Sequence, residues 1–84
     1  MKILWVDDAW EDYLWWHKTN DKVFQRINRL IENTQQTPFA GLGKPEPLKH
    51  ELSGYWSRRI TDEHRLVYKI ADGSVVITQC RYHY

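Results

Sequence analysis

Cysteine is almost missing from this chain of 84 residues, and Cys80 stands alone. One thiol cannot close an internal bridge, so a disulfide scaffold is excluded and a reducing compartment is favoured. Long hydrophobic runs are missing too. The opening "MKILWV" begins as a secretory leader would, but Asp7 and Asp8 end its apolar stretch at Val6. That is too short for a leader's core or a membrane span, and the expectation is a cytoplasmic protein with no membrane contact. There is no internal repeat, linker or low-complexity segment, so residues 1–84 are read as one domain. The four histidines show no i, i+4 pair on a helix and Cys80 has no CxxC companion, so neither a metal site nor a cofactor is expected. Ser53 and Ser57 lack a GxSxG elbow, and Cys80 sits in an apolar run where a small buried residue is the expected role.

Five Trp and five Tyr are present instead. Each ring buries a large area, so a core is within reach of a short chain. The net charge of +1 hides an asymmetry. Residues 1–43 carry five Lys or Arg against six acids, and residues 44–84 carry seven against five. A basic second half interleaved with aromatics suits a phosphate-bearing ligand.

Patterning predicts the elements. "KILWV" is a short β-type run, and Asp8 with Glu11 three residues on reads as a helix start of capping-box type. Trp10, Tyr13, Leu14 and His17 then fall on one helical face, expected to pack inward. "TND" opens a second helix, in which Val23, Ile27, Leu30, Ile31 and Thr34 repeat the pattern. "TPFAGLGKPEPLKH" breaks regular structure with three prolines and two glycines, and such loops often carry function. Three strands follow, "GYWSRRI", "HRLVYKI" and "SVVITQCRYHY", joined by hairpin-length "TDE" and "ADG". Alternation sets Leu66, Tyr68 and Ile70 on one face and Arg65, Val67 and Lys69 on the other. The expected architecture is α+β: β-α-α followed by a β-meander, with the helices on one sheet face.

Glu46, Lys49, Arg59, Arg65, His83 and Tyr84 remain as chemistry-bearing residues. A carboxylate, an imidazole and guanidinium groups suffice for acid–base cleavage of RNA: one group takes the 2′-hydroxyl proton, another protonates the leaving 5′-oxygen, and cations offset charge on the phosphorane. Arg matches phosphate with a planar fork of donors, and Tyr84 offers an unstacked base a ring. Singly, each residue also has a plain reading. Glu46 reads as a solvated loop charge, Arg58 and Arg59 as an edge-strand charge pair, Arg65 as a partner of Asp62 or Glu63, His64 as structural, and His83 as a tail.

"GKPEPLKHELSGYWSRRITDEHRLVY" followed by "CRYHY" resembles the RelE/YoeB ribonuclease family of bacterial toxin–antitoxin modules, and the likeness runs through essentially the whole chain from its "LW" strand onward. The resemblance implies a microbial-ribonuclease-like fold with a curved antiparallel sheet. It implies a metal-independent endoribonuclease that cuts messenger RNA in the ribosomal A site. Carried over by position, Glu46 is the general base, His83 the general acid, Arg65 the phosphorane stabiliser and Tyr84 a substrate-positioning residue, with Lys49 and Arg59 assisting on the substrate. The implied partners are messenger RNA on the ribosome, a YefM-like antitoxin, operator DNA through the antitoxin complex, and a second copy of the chain. The tail is expected to be held by strand pairing. Two other functions fit the same residues: a silent module that holds an antitoxin as operator co-repressor, and a ribonuclease acting without the ribosome.

Overall fold

The hairpin between the two longest strands shows why this sequence folds locally as it does. Asp72 and Gly73 both take left-handed backbone, with φ of 51° and 72°. A two-residue turn that follows the natural twist of its strands needs that geometry, and Asp and Gly reach it at least cost. In the computed structural model, which describes residues 1–84, this turn joins β4 (Arg65–Ala71) to β5 (Ser74–Gln79). β4 also pairs antiparallel with β3 (Trp56–Arg59), so the expected meander is present.

Two strands flank it. The two-residue β2 (Glu46–Pro47) pairs with β3, and β1 (Lys2–Trp5) pairs with β5 in parallel, giving the order β1-β5-β4-β3-β2. The sheet is therefore mixed rather than wholly antiparallel. β1 and β5 are joined through both helices and the whole meander, a connection long enough for the parallel pairing that no hairpin can make. Pro47 is tolerated because β2 lies at an edge, where one missing N–H breaks no inner ladder.

The helices are α1 (Asp7–Thr19) and α2 (Asp21–Gln36). α2 starts as its sequence indicates, with Asn20 Oδ1 accepting from the Val23 N–H at 3.1 Å. α1 does not. Its N-cap position is Val6, no side chain caps it, and Asp8 already lies inside the helix. The Val6 N–H donates to Ile77 O while Val6 O accepts from Trp10 N–H, so sheet pairing runs straight into the first helical turn. Asp7 and Asp8 still oppose the positive end of the helix dipole.

The inward face of α1 also differs from expectation. Ala9 and Trp16 are buried, whereas Trp10 and Leu14 are 44% and 39% exposed and His17 lies outside. The helical period is right and its phase is off. Trp16 is drawn in by its indole N–H, which donates to Cys80 O at 2.9 Å, and the small Ala9 lets β5 approach α1 closely enough for the Cys80 thiol to meet Ala9 O. α2 buries Ile27, Leu30, Ile31 and Thr34 as its pattern predicts. Ile27, Leu30 and Ile31 pack with Leu66, Tyr68, Val75 and Ile77 to form the core. Each fully buried aliphatic side chain there contributes about 1.5–3 kcal/mol.

Arg58 departs furthest from its sequence reading. It is no edge charge, because β3 lies between β4 and β2 and Arg58 is fully buried on the helix-covered face opposite Leu66. Its guanidinium donates to Tyr68 Oη, Asn33 Oδ1 and the carbonyls of Thr37, Ala40 and Leu42, over 2.6–3.1 Å. No carboxylate accompanies it. The last turn of α2 contains no basic residue, so Arg58 brings from the sheet the cation that the negative end of that helix favours. The same bonds tie down the segment 37–42, which leads into the cleft on the other sheet face.

Candidate active site

Strand alternation sends Arg58 and Arg59 to opposite faces, and the face that turns away from the helices gathers the polar residues. Register aligns Glu46 with Ser57 and Ser57 with Val67, and the next row sets Arg59 opposite Arg65. A cleft of about 200 Å³ opens over these rows, lined by Lys44, Glu46, Ser57, Arg59, Arg65, His83 and Tyr84. Five of the six residues singled out from the sequence meet there. Lys49 does not. It lines an adjoining cleft of about 370 Å³ with Pro47, Leu48, His50 and Leu52, and Glu46 and Tyr84 belong to both.

Lys44 and Ser57 are additions that the sequence reading passed over. Ser57 stands two residues before Arg59 on β3, the spacing that keeps strand neighbours on one face, whereas Lys44 lies before β2 and is placed by its turn. Lys44 takes φ of 52°, and the preceding Gly43 takes φ of 80°. A Cβ on Gly43 would lie 2.8 Å from Leu30 Cδ2 and 3.1 Å from Arg58 Cβ, so only glycine lets the segment approach β3 this closely. There the Arg59 N–H donates to Gly43 O at 2.7 Å.

Arg65 is nearly buried. Its Nη1 donates to the carbonyls of Thr61, Asp62 and His64 at 2.7–3.1 Å, so it is fixed by backbone and not by the carboxylates of Asp62 or Glu63. Nε and Nη2 make no hydrogen bond within the protein, and Arg65 lines the cleft. Like charges directly across a strand pair are unfavourable. Arg59 opposite Arg65 is therefore a costly arrangement in the empty protein and a favourable one around an anion. With Lys44 also present, three cations face one carboxylate, Glu46.

The tail that carries His83 and Tyr84 is not held by strand pairing. β5 ends at Gln79, and beyond it the chain is fixed mainly by side chains. Gln79 Nε2 donates to the carbonyls of Arg81 and Tyr82, the Arg65 N–H donates to Tyr82 O, and the Tyr82 N–H donates to His64 Nδ1. Tyr82 takes φ of 64°, which no continuing strand allows. Arg81 is clamped between Asp12, at 3.5 Å, and the Trp15 ring, whose centroid lies 3.7 Å from Cζ. His83 then stacks on Tyr84 with ring centroids 4.6 Å apart, and Tyr84 Oη lies 3.3 Å from Ser57 Oγ. His64 is structural, as its sequence setting suggested. Cys80 is buried, and burial first, then the Asp12 charge, push its thiol up to about 12, which removes it from nucleophilic chemistry.

The sequence family described as the YoeB-like toxins of bacterial type II toxin–antitoxin systems matches residues 5–84. This chain belongs to that family. The YoeB toxin of Escherichia coli K12 is 58% identical to it over 84 residues, covering all of both chains. A solved YoeB/ParE toxin from Agrobacterium tumefaciens superposes with a TM-score of 0.96 at 52% identity, again over the whole of both chains. A YoeB–YefM complex from Staphylococcus aureus gives 0.93 at 42% identity, covering 100% of this chain and 98% of the other, and a YoeB dimer from the same organism gives 0.93 at 41% with the same coverage. The α+β architecture is thus that of the YoeB-like toxins, two helices over a five-stranded mixed sheet. No helix in it is long and apolar enough to cross a membrane.

Proposed function

We propose that this toxin is a metal-independent endoribonuclease that cleaves messenger RNA in the ribosomal A site and so stops translation. The observation that carries the reading is one cleft lined by Glu46, the cross-strand pair Arg59 and Arg65, and His83 with Tyr84. Glu46 takes the proton from a ribose 2′-hydroxyl as its oxygen bonds to the adjacent phosphorus. His83 protonates the 5′-oxygen as the P–O5′ bond breaks, leaving a cyclic phosphate and a free 5′-hydroxyl. Arg65 donates from Nε and Nη2 to the phosphorane, whose extra negative charge relieves the repulsion between the two guanidinium groups. Arg59 assists at the phosphate. Lys49, in the adjoining cleft, holds the backbone of a neighbouring nucleotide, and Tyr84, on the wall shared by both clefts, stacks on an unstacked base.

The same reading assigns the toxin a cytoplasmic location and a YefM-like antitoxin, by likeness to the S. aureus complex. It also assigns a homodimer, by likeness to the S. aureus YoeB dimer, and operator DNA as a target of the toxin–antitoxin complex. Primer extension on a translated message after induction should reveal new 5′ ends within codons, and purified RNA without ribosomes should stay intact. Replacing His83 and Arg65 together with alanine should lower the rate by at least the roughly 10²–10⁴-fold of a single lost acid–base group. Equal cutting by that double variant would end the proposal.

A further inference from the structure

We propose that His64 is a positioning residue for this cleft: its imidazole holds the left-handed turn at Tyr82 that aims His83 and Tyr84. The inference rests on the ribonuclease reading given above. A bulky residue at φ of 64° is a backbone outlier that persists only where its surroundings over-determine it. Here they do. The Tyr82 carbonyl accepts from the Arg65 N–H at 3.0 Å and from Gln79 Nε2 at 3.1 Å. The Tyr82 N–H has a single partner, His64 Nδ1, at 2.7 Å.

That bond fixes the state of the ring. An imidazole whose Nδ1 accepts carries its proton on Nε2, and the cationic form has no acceptor at all. The ring is itself held, edge-on to Trp16 with centroids 4.9 Å apart, while the Trp16 indole reaches Cys80 O two residues before Tyr82. His64 also directly precedes Arg65. The start of β4 therefore supplies one of the three cations of the cleft, one anchor for the Tyr82 carbonyl and, in the residue just before it, the anchor for its N–H, and it sets the imidazole of His83 relative to the phosphate-binding Arg65.

Two isosteric substitutions separate positioning from simple packing. His64→Asn places Oδ1 where Nδ1 stands and keeps the acceptor. His64→Gln places its amide near Nε2 and loses the acceptor, and both variants forfeit the aromatic contact with Trp16. In cleavage of a message on ribosomes, His64→Gln is expected to lower kcat by at least about tenfold with KM changed less than about twofold, since a misplaced group slows the chemical step more than binding. His64→Asn should recover most of that kcat. In hydrogen exchange, the Tyr82 amide should stay protected in the wild type and in His64→Asn and lose protection in His64→Gln. Equal rates or equal Tyr82 protection in the two variants, with His83→Ala inactive, would overturn the proposal, as would a His64→Gln chain that fails to fold while His64→Asn folds. If the wild type itself does not cut RNA, the ribonuclease reading fails, and the exchange experiment still decides whether His64 holds the turn.

Discussion

Replacing Arg58 with alanine removes a buried guanidinium that makes five hydrogen bonds, three of them to backbone carbonyls of the segment 37–42. Each bond to a charged group contributes about 1.5–3 kcal/mol, yet the five share one desolvated cation and do not add. The lost interactions are also offset by returning that cation to water, and water reaches part of the freed segment. What remains is a cavity beside Tyr68, an Asn33 Oδ1 left with only the Leu42 N–H, and a helix C-terminus with no cation near it. A net loss of about 3–5 kcal/mol is expected, the scale of a broken buried charge network. Against a total stability of about 4–13 kcal/mol for a chain this size, that is a large share. Urea titration followed by tryptophan fluorescence should show the midpoint falling by about 2 M or more. Arg58→Lys keeps the charge but offers three donors in place of five, and should lose about half as much. If Arg58→Ala costs less than about 1 kcal/mol, the guanidinium is not what holds the segment behind the cleft, and the account of how Lys44 and Glu46 are positioned fails.

The Cys80 thiol, normally near 9 and raised here to about 12, ties stability to alkaline pH. Above pH 9 the unfolded chain gives up this proton while the native chain keeps it, so the unfolded state binds fewer protons and stability falls by up to about 1.4 kcal/mol per pH unit toward pH 12. Cys80→Ala should flatten that slope in urea midpoints taken at pH 9 and pH 10, and an unchanged slope would exclude Cys80 as its source. Tyr84 is half exposed, and its side chain makes one hydrogen bond, the 3.3 Å hydroxyl contact, beside its ring contact with His83, so Tyr84→Ala should cost less than about 1 kcal/mol of stability. Cleavage should drop by about tenfold to a hundredfold from lost base stacking; a fall in melting temperature that accounts for the lost activity would make the residue structural instead.

Strand parity made much of this molecule legible. Alternation in "HRLVYKI" separated Leu66 and Tyr68 from Arg65 and Val67 correctly, because one face of β4 is core and the other carries the cleft. The same parity shows that Arg58 and Arg59 must face opposite ways. It could not show that Arg58 is the buried one until the register with Leu66 was known. α1 was misphased for a related reason: Trp10, Trp15 and Trp16 are equally apolar, and the choice among them is made by a hydrogen bond to Cys80, far away in sequence. In the cleft, Arg65 follows from alternation along β4, and Arg59 joins it once the register of β3 is known. Glu46 and His83 stand out by residue type, but their roles and their meeting place came from the family resemblance, because a two-residue edge strand and a turn held by an imidazole leave no periodic trace.

The parallel pairing of β1 with β5 means that residues 2–5 wait for residues 74–77 before they gain a partner. Contacts so distant along the chain form late, after the loop between them has been closed at an entropic cost. During synthesis the first strand and the helix that follows it have no finished sheet to rest on, and the arginine rows stand without the imidazole and phenol that complete them. A nascent copy thus has no finished cleft until its last residues have joined the sheet, and the order of manufacture itself delays assembly of the site.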